Sequence, residues 1–238
     1  MKESFPVPRS RFTNNGQPET GSEKPDPEIN MACPIFKANP PGIEEAARII
    51  LKGGVAAFPT ETFYGLAADA LNERALQKIF RAKGRNENKP LLLLVADRSW
   101  VPGLVREISP LAGRLMEEFW PGPLTLVLEA LSHLPAVLAA NTGKVGLRIS
   151  SHPAAQSLVR AVGRAITGTS ANLSGQPSIS TSGEVFRELG GKLDAILDGG
   201  KTAGGLGSTV LDVSGTTPEI LREGVISREE LVQFLRAV

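Results

Sequence analysis

The sequence predicts an α/β fold in which helices pack on one twisted, mixed sheet. From Pro41 onward, segments with helical spacing of apolar residues alternate with short apolar runs of strand length. The strand candidates within 124–149 and within 195–222 follow one another too closely for crossover helices, which favours a mixed sheet over a wholly parallel one. The chain has 238 residues, 41% of them hydrophobic, which is enough for a core without a disulfide or a structural metal.

The helices follow from their apolar spacing and their end signals. The first has its apolar face within 43–51 and ends at Gly53-Gly54, because glycine adopts positive φ readily. Asn72 is placed to cap the second, which ends at Gly84. The other helices are predicted after Ser109-Pro110, over 153–162, and after the pairs Thr181/Glu184 and Ser227/Glu230.

The strands are predicted from apolar runs bounded by turn residues. Residues 91–95 are apolar at every position, which is typical of a strand covered on both faces. The complete set of predicted strands is 55–58, 91–95, 124–128, 145–149, 165–167, 195–197, 209–213 and 220–222.

Charge and composition exclude several functional classes. The 26 basic and 25 acidic residues give a net charge of +1, which does not indicate a nucleic-acid or membrane partner. The single cysteine, Cys33, excludes an internal disulfide and a multi-cysteine zinc site, and it fits a reducing compartment. His133 and His152 are the only histidines and neither has an acid or cysteine at catalytic spacing. Anion binding must therefore come from local clusters.

Residues 1–34 are predicted to form a disordered tail. Their first thirty residues are rich in proline, glycine, serine, asparagine and glutamate and poor in aliphatic side chains, so they cannot bury enough surface to fold. The segment lacks the apolar stretch of a secretory signal, and its acids disfavour a transit peptide. An extended start before a second initiator, Met31, is the alternative. The single folded domain is predicted over 35–238.

Two polar clusters follow elements in the first half of the domain. Residues 59–66 leave a strand end, where ligands of α/β sheets usually bind, and they include the only tyrosine, Tyr64. Lys83, Arg85 and Lys89 bring three cations together around a glycine turn and can converge on a polyphosphate. The alternatives are a polar turn with Tyr64 in the core and a solvated basic loop.

Two further clusters lie in the second half. Residues 168–175 offer hydroxyls, an amide and backbone N–H groups that suit phosphate or ribose oxygens. Ser208 enters a strand after a glycine-rich stretch, and Arg222-Glu223-Gly224 follows near the end. Each cluster alone is a weak indication of a ligand site, and a polar turn is the alternative interpretation. Neither a phosphate-binding loop ending in Gly-Lys-Ser/Thr nor the dinucleotide glycine pattern is present.

In this order, the clusters resemble the motifs of the YrdC-like family, the threonylcarbamoyl-AMP synthases. The resemblance spans about residues 40–235, and seven ordered motifs are far more specific than one. The matching stretches are 58–66, 83–85 with 89–91, 120–125, 145–148, 169–175, 207–210 and 221–224.

The resemblance implies an enzyme that converts L-threonine, bicarbonate or CO2, and ATP into threonylcarbamoyl-AMP and pyrophosphate. The product serves the threonylcarbamoyladenosine modification of tRNA. It also implies a basic concave face that holds the nucleotide, Mg²⁺ accompanying ATP as substrate, proteins that take the unstable product, possible contact with tRNA or double-stranded RNA, and a cytoplasmic location without membrane attachment. No metal ligand from the protein is implied.

The resemblance also assigns expected roles to residues of this chain. Lys83 and Arg85 are expected to be catalytic at the phosphates. The expected ATP-binding residues are Lys83, Arg85, Thr125, Ser170, Asn172 and Arg222. The expected threonine-binding residues are Thr60, Tyr64, Arg148 and Ser208.

The chain departs from the family pattern at Leu94, where many relatives have a histidine, so one threonine contact is expected to be missing or replaced. It ends at Val238 and resembles the short form without an extra C-terminal domain. Two alternatives stay open: a paralogue with another carbamoyl acceptor, and a module that binds double-stranded RNA or tRNA without chemistry.

Overall fold

The computed structural model describes residues 33–140 and 142–237. The predicted tail lies outside the described residues except for its last two, Cys33 and Pro34. The Cys33 side chain is buried, and the Pro34 carbonyl accepts a hydrogen bond of 2.9 Å from the Ile196 N–H. These two residues therefore belong to the folded part.

The described residues form seven α-helices and eleven strands, with short 3-10 helices at 98–103 and 190–192. The helices are α1 Pro40–Leu51, α2 Glu73–Lys83, α3 Pro110–Phe119, α4 Ala136–Ala139, α5 Pro153–Val162, α6 Ser182–Leu189 and α7 Arg228–Ala237. The first strands are β1 Ile35–Lys37, β2 Ala56–Pro59, β3 Tyr64–Ala67, β4 Leu92–Leu94, β5 Leu124–Glu129 and β6 Lys144–Arg148. The others are β7 Ile166–Thr167, β8 Thr169–Ser170, β9 Ala195–Asp198, β10 Thr209–Asp212 and β11 Glu219–Arg222.

The predicted helix ends are confirmed at the side chains that cap them. The Asn72 side chain accepts a hydrogen bond of 3.1 Å from the Ala75 N–H, and Gly84 ends α2 with a φ of 56°. Thr181 and Glu184 form the predicted reciprocal capping box of α6. The sequence analysis missed the short helix α4 and the strands β1, β3 and β8.

The strands form two mixed sheets rather than the single sheet predicted. One sheet has five strands in the order β1-β9-β2-β3-β8, and the other has six in the order β11-β10-β5-β6-β4-β7. The mixed character is confirmed, because β5 pairs antiparallel with β6 and parallel with β10. The close spacing of strands along the chain therefore predicted the mixture of parallel and antiparallel pairing, but it did not predict the number of sheets.

Gly168 is the point at which the chain passes from one sheet to the other. It is the only residue between β7 of the six-stranded sheet and β8 of the five-stranded sheet. Its N–H donates to the Leu92 carbonyl at 2.8 Å, and a Cβ at this position would lie 2.8 Å from Leu94 Cγ. Glycine is therefore required for this close approach.

Two buried apolar clusters hold the sheets and helices together. The larger one takes Leu66 from β3, Leu126 from β5 and Leu76 from α2. The smaller one joins α1 and α5 to β2 and β9, and it contains the fully buried Leu94. Among the residues that the structure describes, no helix is long and apolar enough to cross a membrane.

Candidate active site

A cavity of about 520 Å³ gathers most of the residues that the motifs single out. Strands of both sheets and the loops that follow them contribute to its wall. Eight of the ten expected site residues line it: Thr60, Tyr64, Arg85, Thr125, Arg148, Ser170, Ser208 and Arg222. The other two, Lys83 and Asn172, do not line the cavity.

The six-stranded sheet supplies one wall of the cavity with side chains two residues apart. Lys144, Gly146 and Arg148 of β6 lie along the cavity, as do Thr125 and Val127 of the neighbouring β5. Alternate residues of a strand share one face of a sheet, so this wall is a single sheet face. Gly146 lacks a side chain, and a Cβ there would lie 3.2 Å from Thr125 Cγ2.

Arg85 and Arg222 make one end of the cavity strongly positive. Arg85 donates to the Pro90 carbonyl at 2.9 Å, while its buried Nε has no hydrogen-bond partner. Burial lowers the pKa of the Arg85 guanidinium, and the positive charge of Arg222 lowers this pKa further. Within 33–140 and 142–237, neither arginine forms an ion pair with a carboxylate. These two charges are therefore uncompensated and suit an anionic ligand.

Arg222 anchors a pair of hydroxyl groups in the cavity wall. Its Nη2 donates to the Ser208 carbonyl at 2.7 Å and to Ser208 Oγ at 3.1 Å. Ser208 Oγ lies 2.9 Å from Thr125 Oγ1, and either hydroxyl can be the donor of that hydrogen bond. In both cases one of the two hydroxyl protons is left to donate to a ligand in the cavity.

Lys83 and Asn172 support the cavity wall from behind. The buried Lys83 Nζ donates to the backbone carbonyls of Ser170 and Asn172, the latter at 2.6 Å. Burial lowers the pKa of the Lys83 ammonium to about 8, and the charge of Arg85 contributes to this shift. The Asn172 amide donates to the carbonyls of Leu173 and Gln176, and its buried Oδ1 has no partner. Both side chains hold the segment that presents Ser170.

Thr60 and Tyr64 line the cavity at the turn between β2 and β3. Thr60 Oγ1 donates to the Phe63 carbonyl at 2.6 Å and so closes this turn. The Tyr64 hydroxyl donates to the Gly200 carbonyl at 2.8 Å and accepts from the Gly199 N–H at 3.2 Å. Burial raises the pKa of the Tyr64 phenol. Tyr64 is therefore held in the cavity wall by the backbone of Gly199 and Gly200.

Arg148 also lines the cavity, and it has a carboxylate partner within the protein. Its Nη1 donates to Glu61 Oε1 at 2.9 Å, and its side chain is 3% exposed. Burial lowers the pKa of the Arg148 guanidinium; the Glu61 carboxylate opposes that shift, and the positive charge of Arg222 adds to it. The buried Arg148 Nε has no hydrogen-bond partner, so one edge of the guanidinium is unused.

The sequence analysis missed Glu61 and the pair Lys144–Asp212. Lys144 Nζ lies 2.8 Å from Asp212 Oδ2, and both residues line the cavity. Lys144 is four residues before Arg148, and Asp212 is four residues after Ser208. Because alternate residues of a strand share one face of the sheet, stepping two residues at a time from Arg148 and from Ser208 would have found Lys144 and Asp212. Glu61 lies inside the first motif, but a glutamate in a turn has no periodic signal.

The described residues contain no group of three or more histidine, cysteine, aspartate or glutamate side chains able to hold a metal ion. Asp212 is the carboxylate residue among those that line the cavity, and it is engaged by Lys144 and Ser214. Within 33–140 and 142–237 there is thus no all-protein cage for a divalent cation; Mg²⁺ that accompanies a nucleotide is held largely by the phosphates.

Fold and cavity together define an α/β protein with an arginine-lined candidate ligand cavity whose wall takes residues from both mixed sheets. The family model named for Sua5, YciO and YrdC, with the description "telomere recombination", matches residues 48–224. The chain belongs to this Sua5/YciO/YrdC family, as the ordered motifs predict.

Curated relatives in this family are named threonylcarbamoyl-AMP synthase. The protein of Pyrococcus abyssi is 41% identical over 193 residues, which cover 81% of this chain and 57% of that protein. The protein of Bacillus subtilis is 43% identical over 200 residues, which cover 82% of this chain and 57% of that protein. This chain thus spans 57% of the length of these two relatives.

Solved structures agree with the fold. The crystal structure of P. abyssi Sua5 complexed with L-threonine aligns with a TM-score of 0.80 at 39% identity, covering 85% of this chain and 59% of that one. The crystal structure of E. coli YciO aligns with a TM-score of 0.75 at 30% identity, covering 81% of this chain and 96% of that one.

Proposed function

We propose that the protein is an L-threonylcarbamoyl-AMP synthase, a nucleotidyl-transferring enzyme. The observation that carries this proposal is the convergence of eight expected substrate residues, drawn from motifs throughout the chain, on one cavity. The names of the curated relatives and the L-threonine complex of the P. abyssi protein support the same activity.

The proposed reaction needs no nucleophilic side chain. The unprotonated amine of L-threonine adds to CO2 and forms a carbamate. A carbamate oxygen attacks the α-phosphorus of ATP, the bond from that phosphorus to the bridging oxygen breaks, and pyrophosphate leaves. Such a reaction depends on positioning and on stabilisation of the charge that develops on phosphate oxygens. Since carbamates decompose in water, an enclosed site protects the intermediate.

The arginine-rich end fits the triphosphate of ATP. Arg85 and Arg222 carry uncompensated charge there, and phosphate oxygens would satisfy the partnerless Arg85 Nε. Thr125 and Ser170 add hydroxyl groups along the same wall. Lys83 and Asn172 would then act on ATP indirectly, by holding the segment that presents Ser170. This part of the wall would supply the basic face that the family resemblance implies.

The part of the wall around Arg148 fits the amino acid. Arg148 would offer a guanidinium edge to the carboxylate of L-threonine, and Thr60 and Tyr64 line the same cavity. Ser208, expected at threonine, contacts Thr125 and Arg222, which are expected at ATP, so it would lie where the two substrates meet.

Mg²⁺ would enter with ATP, because it neutralises phosphate charge in phosphoryl transfer. The setting proposed for the enzyme is the cytoplasm, where ATP, threonine and tRNA occur together. Proteins that transfer the threonylcarbamoyl group to tRNA would consume the product. The alternatives, another carbamoyl acceptor or RNA binding without chemistry, are not favoured by the named relatives.

Pyrophosphate release tests the proposal. The full chain is incubated with ATP, Mg²⁺ and bicarbonate together with L-threonine, with L-serine or with no amino acid. Release that requires L-threonine, together with threonylcarbamoyl-AMP in the products by mass spectrometry, is the expected result. ATP binding without threonine-dependent release would contradict the proposal and favour another acceptor. RNA binding without ATP binding would favour the RNA module.

A further inference from the structure

Glu61 is a partly buried acid that the proposed reaction does not use directly. It lies in the turn between β2 and β3, and its side chain is 15% exposed. It is not among the residues that line the cavity. A carboxylate in such a place needs partners, because burying an unpaired charge is costly.

Both oxygens of the Glu61 carboxylate are occupied by donors of the protein. Oε1 accepts from Arg148 Nη1 at 2.9 Å, and Oε2 accepts from Ser150 Oγ. Ser150 Oγ in turn accepts from the His152 N–H at 3.2 Å. Glu61 belongs to a connection of the five-stranded sheet, whereas Arg148 and Ser150 lie at the end of β6 in the six-stranded sheet. The carboxylate therefore ties the two sheets together beside the cavity.

This tie determines which part of the Arg148 guanidinium can meet a ligand. One terminal nitrogen, Nη1, is held by Glu61, and the buried Nε has no partner. The Nε edge of a guanidinium, with the neighbouring Nη2, presents two parallel donors that match a carboxylate. A buried donor without a partner costs free energy, so a ligand that satisfies it is favoured.

We propose that Glu61 is a positioning residue that holds Arg148 by Nη1 and turns its Nε edge toward the carboxylate of the amino-acid substrate. Glu61 does not act as the base that deprotonates the substrate amine, because both of its oxygens are engaged and it does not line the cavity. The inference rests on the proposed function and deepens it.

Two substitutions separate orientation from charge. Glu61→Gln removes the charge but keeps an oxygen that can accept from Arg148. Glu61→Ala removes both. If Glu61 positions Arg148, the KM for L-threonine rises about tenfold in Glu61→Ala, the value of one charge-assisted hydrogen bond, and only about twofold in Glu61→Gln. The KM for ATP stays within about twofold in both. Glu129→Gln is the matched control, since it removes the partner of the exposed Arg106.

Several outcomes would overturn the positioning role. An equal rise in the threonine KM for both variants would assign the effect to charge rather than orientation. A fall in kcat of about a hundredfold in Glu61→Gln, with loss of one limb of the pH profile, would make Glu61 a general base. An unchanged threonine KM in Glu61→Ala would leave Glu61 without a role in binding. In each case threonine-dependent turnover by the unaltered protein would leave the proposed function standing.

A second measurement follows the Arg148 guanidinium in the unaltered protein, and a variant serves only to assign its signal. In the unaltered protein, the Nε–H resonance of Arg148 should shift when L-threonine is added and stay in place when L-threoninamide, which lacks the carboxylate, is added. Arg148→Lys identifies the resonance by its disappearance. Two results would contradict the assignment of this edge to the carboxylate. One is a resonance that does not shift although L-threonine binds, and the other is a resonance that shifts equally with both ligands.

Discussion

Two parts of the cavity wall treat positive charge in opposite ways. Arg148 is paired with Glu61 at 2.9 Å, so its charge is compensated before a ligand arrives. Arg85 and Arg222 have no carboxylate partner among the described residues, and the charge of Arg222 lowers the pKa of Arg85. A zwitterion fits the first environment, whereas a polyanion fits the second.

Uncompensated charge therefore indicates where an anionic ligand binds more clearly than the number of cations does. Two arginines facing each other cost free energy in the free protein, and a phosphate chain removes that cost. A buried ion pair, by contrast, chiefly fixes geometry, because desolvation offsets much of its attraction.

The largest expected effect is at the nucleotide end. Arg85→Ala should lower kcat/KM for product formation by about 10²–10³-fold, the usual cost of losing one group that stabilises developing charge. The free protein should lose no stability, because the substitution also removes a repulsion from Arg222. Steady-state kinetics and thermal melting measure both, with Arg74→Ala on the exposed face of α2, the helix that precedes Arg85, as the charge-matched control. Near-normal turnover would remove Arg85 from the reaction.

The next effect concerns Lys83, whose pKa is lowered to about 8 by burial. Between this value and its ordinary 10.5, the unfolded chain binds a proton that the folded chain does not. Stability therefore rises with pH across this window. The unaltered protein should gain stability relative to Lys83→Met as the pH increases from about 8 toward 10.5.

Denaturant unfolding at several pH values measures this difference. Parallel curves for the two proteins would contradict the lowered pKa of Lys83. The same variant should also lose product formation, because the Ser170 segment loses the ammonium that holds its carbonyls. Normal turnover in Lys83→Met would show that this support is not needed.

The smallest effect on activity is expected at Leu94. The family resemblance predicts a missing or replaced threonine contact there, yet Leu94 is fully buried in the smaller apolar cluster and does not line the cavity. Leu94→His should leave the preference for L-threonine over L-serine within about twofold and lower stability by about 1–3 kcal/mol, the cost of burying a polar group without a partner. A changed preference would show that this position does reach the substrate.

The sequence predicted the parts of the fold that have periodic patterns or capping residues. The helices α1, α2 and α6 follow their predicted limits closely, since Gly53-Gly54, Asn72 and the Thr181/Glu184 pair act locally. Strands β7 and β8 have two residues each, which is too short for any period to be recognised. The division into two sheets at Gly168 depends on a contact with Leu94 that no local pattern contains.

The ordered motifs predicted most of the candidate site, because eight of ten residues line one cavity. They did not predict what each side chain touches. Lys83 and Arg85 are two residues apart, yet Arg85 lines the cavity and Lys83 binds backbone carbonyls behind it. The roles of Glu61 and Asp212 depend on partners 87 and 68 residues away, so they emerge only from the folded chain.

The salt dependence of ligand binding tests the contrast between the compensated Arg148 and the uncompensated Arg85 and Arg222 most directly. Calorimetry of ATP and of L-threonine binding to the full chain is performed over a series of salt concentrations. The affinity for ATP should fall steeply with salt, because it depends on uncompensated charges, and the affinity for L-threonine should change little. Equal salt dependence of the two ligands would contradict the assignment of ATP to the uncompensated arginines and of L-threonine to the compensated one.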